Sequence, residues 1–173
     1  MPSTSRATKL NELTAAKTIL AATLIAGSLD IIAAFISVYV RGVHPIKVLY
    51  YIASGVFGKE TAYNSGVGMA VLGLIFHYLI AFLFTLFLFF IYPFLKSILK
   101  NKILIGVLYG IFVWAVMNKI VVPLSNTAPS TPTLKNMIIA CVILILCIGI
   151  PIAWIVNKFY SSRNNSASLS SVR

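Results

Sequence analysis

Residues 67–92 read VGMAVLGLIFHYLIAFLFTLFLFFIY, about 26 residues with no Asp, Glu, Lys or Arg among them. At about 1.5 Å per residue such a helix is about 39 Å long, more than the roughly 30 Å hydrocarbon core of a bilayer, so it crosses with tilt to spare. Whatever else the chain does, its remaining apolar runs must pack around this one. Soluble domains carry roughly a quarter charged residues. This chain of 173 residues is 60% hydrophobic and 10% charged, which makes it an integral membrane protein.

The formal net charge is +11, from 14 Lys and Arg against 3 Asp and Glu. An excess of that size serves nucleic acid, anionic lipid or membrane orientation. The basic residues flank the apolar runs rather than forming one block, which is the pattern of orientation and excludes nucleic acid as the expected partner. The run after Arg6, Lys9 and Lys17 is about 23 residues long and contains Asp30, too long and too polar for a secretory signal, so it is read as a retained span.

Four spans are predicted, at about 18–40, 67–92, 103–124 and 137–157, which gives an all-α polytopic fold whose partner is the lipid bilayer. Residues 1–17 form a basic N-terminal tail or short surface helix, and the serine-rich, basic residues 158–173 a disordered tail. In the connection 41–66, Pro45 suits a helix start. Apolar positions at helical spacing then predict an interfacial helix over about 45–57. The following SGVFGKETAYNSG reads as turn-rich; its Gly-Lys pair has neither the spacing nor the hydroxyl of a phosphate loop. Pro93 is expected to end the second span, and Lys96, Lys100 and Lys102 to make a short loop that joins the second and third spans as a hairpin. Gly149 with Pro151 predicts a kink in the last span.

Small residues mark the faces turned toward protein. In the first span these are Gly27, Ala34 and Ser37, with Asp30 on the same face; in the second they are Ala70 and Gly73, with His77. Gly106 and Gly110 form a GxxxG pair in the third span, expected to pack on Ala70 and Gly73. Tyr39, Tyr92, Trp154 and Tyr160, near span ends, read as interface anchors.

Asp30 is the most informative residue, because an unpaired aspartate near the middle of a span costs about 2.5–3.5 kcal/mol on insertion scales. His77, Asn118 and Lys119 are its candidate partners, and depth favours His77. Such an intramembrane polar cluster either fixes helix register or binds a proton or cation. No catalytic, cofactor or metal site is expected. His44 and His77 lie at different depths, so haem ligation lacks its second axial residue. Cys141 and Cys147, six residues apart, point to different sides of a helix and read as small buried hydrophobes. Ser28, Ser37 and Ser54 lack a partnered base.

The order of features resembles the YagU-type group of uncharacterised bacterial inner-membrane proteins. The likeness lies in a Gly-containing first span, a His-bearing second span up to Pro93, a lysine loop, and LIGVLYG followed by VVPL and a Pro-rich connection. It covers roughly residues 66–130, and the first loop with SGVFGKE departs from it. The resemblance implies a four-span protein of the bacterial inner membrane and carries over no functional residue. The leading expectation is a non-enzymatic scaffold or envelope stress component that self-associates. The alternatives are a proton- or cation-coupled small transporter working as an oligomer, and a lipid-modifying enzyme acting near Lys59 and Glu60. A membrane-depth cavity lined by Asp30 and His77 would favour the transporter, and a filled bundle the scaffold.

Overall fold

The computed structural model describes the backbone of residues 3–127 and 133–170 and the side chains of residues 14–127 and 133–163. The centre of the Pro- and Ser-rich connection (128–132), the side chains of Arg6 and Lys9, and Arg173 lie outside the described residues. The fold is all-α and polytopic, with four helices long and apolar enough to cross a membrane: Thr14–Tyr39, Val67–Leu99, Lys102–Leu124 and Leu134–Arg163. They run up and down in turn, so both ends of the chain lie on one side and the long first connection on the other.

Several boundaries differ from the expectation. The first helix is continuous over Ser3–Tyr39, about 55 Å, so the basic N-terminal segment extends the span. At the other end the helix Ile150–Ser170 continues through the region read as a disordered tail. Pro93 lies inside the second helix, which ends at Leu99 with Lys100 in the left-handed region at φ 49°. Losing one N–H is tolerable where the neighbouring backbone bonds stay intact and other helices support the turn. Asn101 then starts the third span, its side chain accepting from the Ile103 and Leu104 N–H groups at 2.9 and 3.5 Å. In the first connection, KETAYN forms a short helix, Lys59–Asn64, between Gly58 and Gly66, both at positive φ.

Two π-helical turns interrupt the last two spans, at Met117–Val121 and Ile145–Gly149. Each stops two residues before a proline, Pro123 and Pro151. A proline ring pushes on the carbonyl four residues earlier and offers it no N–H, and a wider turn relieves both. The kink expected near Gly149 and Pro151 takes this form. It brings Gly149 against the third span: a Cβ on Gly149 would lie 2.7 Å from the Gly110 N, and one on Gly110 would lie 2.5 Å from the Ile145 Cα. The GxxxG face is therefore packed on the fourth span, not on Ala70 and Gly73 of the second. Gly73 instead meets the backbone of Leu49 in the loop helix Ile46–Phe57. With Ala53 and Ser54 fully buried, that helix rests on the second span.

The four spans share their hydrophobic core toward one end of the bundle. Ala22, Ala26, Leu88, Ile105, Val113, Ile152 and Val156 belong to a continuous buried cluster, all in the halves of the spans nearest the chain ends. Tyr92 is part of it, completely buried and stacked on Tyr160 at 5.8 Å, so it is a core residue and not an interface anchor. Small residues and the glycine seam let the helices close here. Past Ala26, Val113 and Ile148, toward the first connection, the spans part and two cavities begin.

Candidate functional site

Asp30 lies one helical turn beyond Ala26, where the packed half ends. It is half-buried and lines both cavities. The first, about 640 Å³, lies between the second and third spans under the loop helix, and His77 is in its wall. Its lining is almost entirely aliphatic and aromatic, including Tyr51, Phe76, Phe84 and Met117. Leu79, Ile120 and Leu124 at its rim are exposed on the outer face of the bundle, so the opening is sideways, toward lipid. The second cavity, about 560 Å³, lies between the first and last spans and is more polar, with Ser37, Arg41, Lys47, Asn118 and Asn136 around it. Tyr51, Met117, Val122 and Leu144 belong to both linings and form the partition.

His77 is buried, and its Nε2 lies 2.8 Å from the Gly27 carbonyl oxygen. A carbonyl only accepts, so Nε2 carries the proton and Nδ1 is the position left for a second one. Asp30 and His77 are close enough to interact electrostatically and share the first cavity, but the histidine's hydrogen bond goes to the Gly27 backbone. The expected direct pair is thus two neighbouring groups on one wall. The reason is steric: a Cβ at Gly27 would meet the Tyr78 ring at 3.0 Å, so glycine allows a close approach that exposes its carbonyl to His77. Beside it the Ser28 and Tyr78 hydroxyls lie 2.8 Å apart. These two contacts tie the first span to the second at the depth of Asp30.

Asn118 takes a different role from that of an Asp30 partner. It lies in the π turn and donates from Nδ2 to the Trp114 carbonyl at 2.9 Å, satisfying a backbone acceptor near the change of register. Lys119 is exposed and lines neither cavity, so it stands apart from the cluster. Cys147 is half-buried and within electrostatic reach of Asp30; Cys141 is also half-buried, and both thiols are free. Neither is the fully buried hydrophobe expected from composition. Among the described residues, no three His, Cys, Asp or Glu side chains gather closely enough to hold a metal ion. Ala70 is buried near the start of the second span.

The loop helix roofs both cavities, and the end of the third span holds it in place. Asn126 donates from its backbone N–H to the Gly55 carbonyl at 2.9 Å and from Nδ2 to the Val56 carbonyl at 3.1 Å, which satisfies acceptors at the helix C-terminus. Lys59 and Glu60 lie beyond this roof, in neither lining. The partition residues Met117, Val122 and Leu144 were not singled out by periodicity. Their only sequence signal is that each lies on an apolar stripe next to a π turn or the connection. No family model, curated protein or solved structure matches the chain.

Proposed function

We propose that this integral membrane protein is a small carrier in which Asp30, with His77 beside it, exchanges a proton or cation, and that it works as an oligomer. The observation that carries the reading is the meeting of the two residues on the wall of one membrane-depth cavity, just where the packed half of the bundle ends. A filled bundle would have supported a scaffold; a cavity of about 640 Å³ with a carboxylate at its floor supports binding of something. Oligomerisation is part of the reading because four helices alone rarely enclose a complete path across the bilayer.

The same proposal puts the protein in a bacterial inner membrane, as its likeness to the YagU-type group implies, with both termini cytoplasmic. Nine of the 14 Lys and Arg are on the side of the chain ends, and positive charge stays in the cytoplasm.

The test uses the fact that Asp30 is the chain's single aspartate, so carboxyl ¹³C-labelled aspartate reports on it alone. In proteoliposomes, the carrier reading expects the Asp30 resonance to follow external pH when the inside is clamped and internal pH when the outside is clamped. A carboxyl that responds to neither side, or to one only, would leave a buried structural group and end the carrier reading.

A further inference from the structure

We infer that the cargo of the first cavity is an amphipathic organic cation, held by its apolar body against the aromatic walls and by its charge at Asp30. The inference rests on the carrier reading and names its substrate class. Three features of the site select this chemistry over others.

Charge comes first. Asp30 is the one charged residue in the lining. Among the described residues, no Lys or Arg pairs with it, and no side chain donates it a hydrogen bond. His77, which interacts with it electrostatically, directs its Nε2–H at the Gly27 carbonyl. A carboxylate facing an apolar, membrane-depth space needs either a proton or a counter-ion, and an anionic cargo would meet no positive partner there. The lining is the second feature. Tyr51, Phe76 and Phe84 put aromatic rings in the lining, the kind of group that attracts a cation, while most of the rest is aliphatic and only Ser125, Thr127 and His77 add polar groups for a hydrated solute. About 640 Å³ is the size of pocket that holds a drug-sized molecule.

The third feature is the entrance. The more polar cavity has Arg41 and Lys47 around it, a positive approach that repels a cation coming from water. The first cavity opens between Leu79, Ile120 and Leu124, on the lipid side, where an amphipathic cation concentrates. Arrival of the cation at a protonated Asp30 then displaces one proton: the O–H bond breaks, the proton leaves to water, and the carboxylate keeps the electron pair as counter-ion to the cargo. The titratable and charged groups around Asp30 are His77 from the second span, Cys147 from the fourth, Tyr51 from the loop helix, and Arg41 and Lys47 across the second cavity.

Tetraphenylphosphonium and tetraphenylborate, nearly identical in shape and opposite in charge, make the test. By equilibrium dialysis against detergent-solubilised protein, with empty micelles as blank, the phosphonium should bind saturably. It should release about one proton per molecule bound into weakly buffered solution, and the borate should not bind. Asp30→Asn should weaken phosphonium binding by roughly tenfold or more, and Asp30→Glu should retain it. Dicyclohexylcarbodiimide modification of wild-type Asp30, read by mass spectrometry, should be prevented by the phosphonium and not by the borate, a readout that needs no variant to fold. No phosphonium binding, equal binding of the two ions, or binding unchanged in a folded Asp30→Asn protein would each overturn the inference. If the labelled carboxyl still responds to pH on both sides, the substrate class alone is wrong; if it does not, the carrier reading falls as well.

Discussion

Gly110→Ala puts one methyl group into the seam between the third and fourth spans, and the structure fixes what that methyl meets. Its carbon would lie 2.5 Å from the Ile145 Cα and 2.9 Å from both Ile145 N and Cγ1, against the 3.5–4.0 Å of an ordinary carbon contact. The shortfall is about 1 Å. Two of the obstacles are backbone atoms, so no side-chain rotation relieves it and the spans must separate. A gap of that size forfeits about a quarter to a half of the dispersion energy of each contact along the seam. Overpacking of this kind costs about 1–3 kcal/mol, offset by roughly 0.5–1 kcal/mol because alanine favours the helix over glycine. A net loss of up to about 2.5 kcal/mol follows. The control is Gly68→Ala, in the second span, where an added Cβ has nothing within 4 Å and only the helix gain remains. Thermal unfolding of both variants in the same detergent is the assay: Gly110→Ala should melt below wild type and Gly68→Ala at or above it. Equal melting temperatures for the two variants would refute the claim that the glycine seam joins these spans.

Four further outcomes are expected. Gly110→Leu should lower the melting temperature far more than Leu108→Phe, since Leu108 is exposed on the outer face; equal tolerance would again count against the seam. Tyr78→Phe and Ser28→Ala should each cost about 0.5–1.5 kcal/mol, and the double variant less than the sum, because both remove the same hydrogen bond; additive losses in chemical unfolding would disprove the contact. Asn118→Leu should speed amide hydrogen exchange across the π turn Met117–Val121 while leaving Ile145–Gly149 protected, and unchanged exchange would show that Asn118 does not hold the turn. In a background with Cys141 and Cys147 replaced by alanine, Ser65→Cys should react with an impermeant thiol reagent in intact cells and Lys100→Cys only after lysis; the opposite pattern reverses the topology.

The four spans were legible because a helix that crosses lipid must be long, apolar and almost free of charge, and composition records all three. Asp30 and His77 were legible as inward-facing for the same reason, since lipid offers neither a partner. What could not be read was which helix each small-residue stripe meets. Gly106 and Gly110 form a seam with whichever span brings backbone close, and Gly149 does so only because the π turn before Pro151 changes the register of the last span. A periodicity of 3.6 assumes that no such turn exists. The cavities were hidden for a related reason. Apolar residues that line a space and apolar residues that fill one have the same pattern, and nothing in the codes for Met117 or Leu144 distinguishes them from Ile105 or Ile152 in the packed core.

The clamp on the loop helix has a consequence for how the molecule is made. The carbonyls of Gly55 and Val56 are met by Asn126, about 70 residues later in the chain. During synthesis, therefore, the first two spans can join through Gly27, His77, Ser28 and Tyr78, contacts 50 residues apart, before the roof has anything to fasten it. Chains are assembled from the N-terminal end at about 5–20 residues per second, so the roof rests on the second span without its clamp for roughly 2–10 s. The third span then supplies the fastening, and the fourth, arriving last, locks the third through Gly149. Premature release after the third span would yield a protein that already has its roof and both polar residues but lacks the wall formed by Leu144 and Ile148.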